Sequence, residues 1–213
     1  VDSSSANTII GSGAFASSNN SNSHSNIIIG YESGTEINSA NSTDNVIVGR
    51  GAGRGGGAEF TENIAIGSYA LDATAGNATT GIIAIGHSAL GALTSGGYNT
   101  AIGYQSGLDM TTGNNNTLLG WQTGANIVDG HSNVAIGANA LDAVTSGHTS
   151  VGIGRGAAGA LTTGYAQVAI GYNALATEDA GLGSVAVGYQ ALHTQNVDGD
   201  SGNVAVGSNS GYA

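Results

Sequence analysis

Short apolar triplets recur along the chain, each closing on a glycine and each followed by a longer run of small and polar residues. The closing glycines are Gly11, Gly30, Gly49, Gly67, Gly86, Gly103, Gly120, Gly137, Gly154, Gly171, Gly188 and Gly207, at spacings of 17 to 19 residues. Three residues before the glycine every copy has a β-branched side chain, from Thr8 and Ile27 to Val185 and Val204. One residue before it stands Ile, Val or Leu, from Ile10 and Ile29 to Val187 and Val206. Branched residues suit strands and alternate residues share a strand face, so each triplet predicts a short β-strand. A fixed period of this length predicts a solenoid, in which each coil buries its apolar face against its neighbours. The expected fold is therefore all-β: a parallel β-solenoid of about twelve coils, one domain over residues 1–213, roughly 55–60 Å long at the ~4.8 Å strand spacing.

The two flanking columns of each triplet are expected to form the wall inside the coil, which leaves the middle column facing out. That column is apolar as well, with Ala65, Ala84, Ala101, Ala135, Ala169, Ala186 and Ala205 as its alanines. A strand apolar on both faces is covered on both, so these alanines are expected to lie against another copy of the chain or under the coil's own loops, with another copy the favoured reading. By the same assignment Thr8, Thr100 and Thr117 face inward, which removes the flat threonine array of an ice-binding solenoid. Three residues after each glycine the side chain is always small, and the next is Leu, Gly, Phe or Ala. This reads as a second short strand, after which segments such as Thr94-Ser95-Gly96, Thr145-Ser146-Gly147 and Thr162-Thr163-Gly164 turn the chain into the next coil.

Composition narrows the function classes. The chain has no cysteine, no proline and no lysine, three arginines, fourteen acidic residues and a formal charge of −11. Nucleic acid is excluded as an expected partner, because phosphate binding needs clustered cations. No apolar run reaches the length of a membrane-spanning helix, so no membrane insertion is expected. The abundance of Ser, Thr, Asn and Gly resembles that of secreted surface-layer and fibre proteins.

The run Asn133-Val134-Ala135-Ile136-Gly137 has near copies at 99–105, 167–175 and 184–192, three of them continuing into Gly-Tyr. These repeats resemble the head repeats of trimeric autotransporter adhesins, and equally the repeats of phage tail fibres. The resemblance implies a left-handed parallel β-roll, commonly trimeric, that projects from a cell or virion surface and attaches to a host receptor, surface glycan or matrix. It also implies that the alanine column lies at a chain contact.

Catalytic and ligand motifs are sparse. Gly51-Ala52-Gly53-Arg54-Gly55-Gly56 matches a dinucleotide fingerprint, but the sequence after it predicts another repeat strand and no helix to receive a pyrophosphate. Asp198 and Asp200 lie in a loop with oxygen ligands suited to calcium, without a downstream bidentate Glu. The residue after the glycine is often aromatic, at Tyr31, Tyr104, Trp121, Tyr172 and Tyr189, which predicts a ridge able to stack on itself or to contact a ligand. No Ser-His-Asp set or carboxylate pair is placed by spacing, so no enzyme activity and no cofactor are expected. Joining Ala213 of one copy to Val1 of the next would continue the repeat in register, so self-association by head-to-tail stacking through these ends, by lateral packing or by both is expected, and a piece of a longer array cut at whole repeats would show the same joint. The expected role is a structural, self-associating extracellular fibre or filament subunit serving adhesion or matrix formation, with the receptor-binding shaft or head of a trimeric fibre as the alternative.

Overall fold

The computed structural model describes residues 6–16, 23–35, 37, 41–55, 58–74, 78–196, 199–200 and 202–211. Its strands are β1 (Thr8–Ile10), β2 (Ile27–Ile29), β3 (Val46–Val48), β4 (Phe60–Thr61), β5 (Ile64–Ile66), β6 (Thr79–Thr80), β7 (Ile83–Ile85), β8 (Thr100–Ile102), β9 (Thr117–Leu119), β10 (Val134–Ile136), β11 (Val151–Ile153), β12 (Val168–Ile170), β13 (Gly181–Leu182), β14 (Val185–Val187), β15 (Gly199–Asp200) and β16 (Val204–Val206). Twelve of them stack as one parallel sheet in chain order. The pairs β4–β6 and β13–β15 form two small parallel sheets of their own. The triplets pair in register, Val134 with Val151 and Ile136 with Ile153 for example, so each column of the repeat becomes a ladder along the rod. No helix occurs among the described residues.

The inside and outside of the coil are the reverse of the expected assignment. The middle residue of each triplet points into the coil: Ile28, Ile47, Ala65, Ala84, Ala101, Leu118, Ala135, Ala169 and Ala186 are fully enclosed, and Ala205 nearly so. The flanking β-branched columns face out, half-buried through the central coils, and Thr8, Thr100 and Thr117 face out with them. The alanines Ala65, Ala84, Ala101, Ala135, Ala169, Ala186 and Ala205 are thus core residues and offer nothing to another chain. The reason is the narrowness of the coil. The middle residue meets the small and leucine columns that lie three and four residues past the glycine, where Ala70, Leu71, Ala89, Leu90, Ala140 and Leu141 are all buried.

Volume is shared between facing positions. For the enclosed large middle residues Ile28, Ile47 and Leu118, the residue four past the glycine is itself glycine. A Cβ on Gly53 would stand 3.0 Å from Cδ1 of Ile47, and one on Gly124 would stand 2.9 Å from Cδ2 of Leu118. Where the middle residue is alanine, leucine mostly fills the space, as in Ala84 with Leu90 and Ala135 with Leu141, and at Ala101 with Gly107 the space is taken by Leu90 and Leu118 of the neighbouring coils. A third core column seven past the glycine completes the interior with Ile37, Leu93, Met110, Ile127, Val144 and Leu161.

The expected second strand after the glycine is instead a tight turn. Residues two and four past the glycine both take left-handed backbone, Gln105 at φ 54° and Leu141 at φ 50° among them. Backbone hydrogen bonds nevertheless continue between coils there, for example Leu71 N to Ala89 O at 3.0 Å. The closing glycine is required twice over. Gly103 has φ +140°, and a Cβ on it would lie 2.6 Å from the carbonyl carbon of Gly120 in the next coil. Such a backbone is open only to glycine.

Four residues before the glycine runs a buried amide ladder. Its Asn26, Asn45, Asn63, Asn99, Asn116 and Asn133 are enclosed. The preceding residue is left-handed, as at Asp44, Asn115 and Ser132, and takes the backbone out of strand geometry at this corner. Each Asn carbonyl then accepts the N–H of the next coil, as in Asn116 N to Asn99 Oδ1 at 3.0 Å and Asn133 N to Asn116 Oδ1 at 3.0 Å. Each amide also donates across the coil, Asn116 Nδ2 to Gly130 O at 2.9 Å and Asn133 Nδ2 to Gly147 O at 2.9 Å. The ladder satisfies backbone groups that water cannot reach.

Candidate functional site

Two surfaces stand out on the described rod. The first is the outward face of the twelve-stranded sheet. Its two columns hold 24 side chains, of which Thr8, Thr100 and Thr117 are polar and none is charged. At ~4.8 Å per strand, three residues wide, this wall covers about 500 Å², near the upper end of apolar patches on ordinary monomers. Its exposure is greatest where a neighbour is missing: Ile10 is 58% exposed at one end of the stack and Val206 69% at the other.

The second surface lies just past the bend at the glycine, where the expected aromatic ridge is present. Tyr31, Tyr104, Trp121, Tyr172 and Tyr189 are all exposed. The register of the coils brings some neighbouring rings of this column into stacks. His87 stacks on Tyr104 with centroids 5.2 Å apart, and Tyr172 on Tyr189 at 5.4 Å. Arg155 holds its guanidinium 5.9 Å from the Tyr172 centroid. A hydrogen bond to Glu32 and the charge of that carboxylate push the Tyr31 hydroxyl up from its ordinary range. A separate stack that the sequence pattern did not reveal joins His131, His148 and Tyr165, at 4.8 and 5.0 Å. These residues share the place six before the glycine, and reading that column would have found them.

The remaining candidates are dispersed. Arg54 of the glycine-rich segment donates from Nε to Asp72 at 2.9 Å and reaches Glu32 at 4.0 Å, so it ties three coils together. Gly51 and Gly53 are left-handed turn positions there, with no helix after them. Of the calcium candidates, Asp200 lies in β15, paired with Leu182, and Asp198 lies outside the described residues, as do Val1 and Ala213. Among the described residues no group of three His, Cys, Asp or Glu side chains is placed to hold a metal ion. Within the last coils the core turns polar: Glu178 is fully enclosed and accepts from Gln195 Nε2 at 2.8 Å, and Gln195 also donates to Ser184 Oγ at 2.9 Å. Glu178 continues the column of Val144 and Leu161, and a carboxylate in a leucine position was the sequence signal for it.

Comparison with known proteins adds no identity to this geometry. No protein-family model matches the chain, and no curated protein or solved structure matches it significantly.

Proposed function

We propose that this chain is a non-enzymatic structural subunit of an extracellular or surface fibre that associates with copies of itself through the outward face of its twelve-stranded sheet. The observation that carries this reading is the uncharged, β-branched wall that runs the described length of the rod on a molecule of net charge −11. Charged residues occur elsewhere on the surface, as Arg50, Asp129 and Arg155 do, and are excluded from these two columns. Covering the wall removes apolar surface at about 25 cal/mol per Å², and a flat ladder of branched side chains suits close packing against a second one. The resemblance to adhesin head and tail-fibre repeats supports assembly in threes about a common axis. The composition, lysine-free and rich in Ser, Thr, Asn and Gly, supports a surface location. Adhesion or matrix formation is the role such a rod serves.

The test places one charge in the wall. Ile102→Lys and Ile136→Lys point outward and should leave the strand content by circular dichroism intact while sedimentation shows the assembly reduced to single chains. Ala135→Glu, in the enclosed column, should unfold the chain instead. A wild-type chain that sediments as a monomer at micromolar concentration, or lysine variants that keep the wild-type mass, would overturn the reading.

A further inference from the structure

Within the ridge past the glycine, one small residue lies between an aromatic residue and an arginine with no neighbouring ring to take its place. Two coils between Tyr31 and Tyr189 put a small residue in this column, Ser68 and Ala138. At Ser68 the following residue fills the gap. The Tyr69 ring lies under the Arg50 guanidinium at 5.5 Å and meets His87 edge-on at 6.1 Å, so the stack continues. At Ala138 it does not. Asn139 is turned aside and donates to Asp142 Oδ2 at 3.0 Å. Ala138 therefore leaves a gap one coil high in the column of large side chains, and the register sets Trp121 in the coil on one side of it and Arg155 in the coil on the other.

Both sides of the gap are prepared for a ligand. Trp121 is 50% exposed, and among the described residues no aromatic ring is stacked on its indole. Arg155 is exposed and enters no ion pair among the described residues, and its guanidinium is oriented by Tyr172. Trp121 and Arg155 belong to coils two rises apart, about 9.6 Å along the rod, which is the scale of one sugar ring between them.

We propose that this gap binds one carboxylated pyranose residue of an acidic glycan, its ring against the Trp121 indole and its carboxylate on the Arg155 guanidinium. The indole offers a broad apolar face to the sugar's C–H groups, and the guanidinium offers a planar fork to the carboxylate. One such contact is weak, and assembly of many copies would raise the avidity without new contacts. That gain rests on the proposed self-association, whereas binding by one chain does not.

The test uses the chain's single tryptophan, whose emission reports on the gap directly. Titration of the full chain with trigalacturonate is expected to shift that emission saturably, and the neutral galactose trisaccharide is expected to leave it unchanged. Arg155→Gln should weaken trigalacturonate binding by about tenfold or more, as loss of a charged hydrogen-bond pair does. Ala138→Tyr completes the stack with a residue that the same column carries in other coils, so it should fold normally and show no heat of binding by calorimetry. Wild-type emission indifferent to trigalacturonate, equal binding of the neutral sugar, or wild-type affinity in a folded Ala138→Tyr chain would each overturn the proposal. Sedimentation of the same variants should match the wild type, which separates this result from the fate of the sheet-face reading.

Discussion

Gly103 and Gly207 occupy the same column yet differ in their neighbours, which separates the two reasons for glycine there. At Gly103 a side chain meets both a φ of +140° and the backbone of Gly120, whereas at Gly207 (φ +126°) the nearest atom to an added Cβ is 3.9 Å away. Gly207→Ala should cost about 1–3 kcal/mol of backbone strain, and Gly103→Ala distinctly more because the coils must also separate. Urea unfolding of the two variants measures the difference. Asp142 offers a second single-residue test. Burial raises its carboxyl above the ordinary range, so the folded chain binds the proton more tightly than the unfolded one. That contribution is present below the ordinary carboxylate pKa and is lost as pH rises through the raised one, so the ionised group is a small liability at neutral pH. Asp142→Asn should therefore raise the melting temperature slightly at pH 7 and leave it unchanged near pH 3. The half-exposed position limits the gain to a few tenths of a kcal/mol.

Among the elements, the amide ladder and the paired core columns make the strongest demands on sequence. Asn116→Ala leaves the Asn133 N–H and the Gly130 carbonyl enclosed without this partner, and should destabilise the chain by about 2–4 kcal/mol in denaturant unfolding. Ala135→Leu alone overpacks the coil by about 1–3 kcal/mol. Combined with Leu141→Gly it reproduces the arrangement of Leu118 over Gly124, and most of the loss should return. These elements also mark how far the fold was legible in the sequence. Period, strand positions and register follow from the glycine and the branched columns, because a parallel ladder repeats whatever its coil demands. Which face of the triplet is inside does not follow from apolarity, since all three columns are apolar. The size match between the middle residue and the one four past the glycine points to it in most coils, Ile47 with Gly53 against Ala84 with Leu90, though Ala101 with Gly107 departs from it. The asparagines four before the glycine likewise read as polar turn residues until the corner's unpaired backbone groups are placed. Of the candidate surfaces, the aromatic ridge was visible as a column. The gap at Ala138 depends on where the neighbouring Tyr69 and Asn139 side chains go, and a column alignment does not contain that.

For the whole molecule, the hydrogen bonds that join the coils point along the rod, from Gly103 N to Ile85 O at 2.7 Å to Gly188 N to Ile170 O at 2.7 Å. A rod built this way bears tension differently from one whose strands lie along its length. A pull on the two ends reaches the bonds of one coil at a time, so the chain should peel and not shear. Between Gly86 and Gly188 the closing glycines are evenly spaced by 17 residues. Each coil released there should lengthen the tether by about 53 Å, the ~58 Å of extended chain less the ~5 Å rise it occupied. An optical-trap recording of a single chain is therefore expected to show a staircase of equal steps at modest force. A rod of this kind would yield gradually under load, lengthening many times over before its last coil is lost.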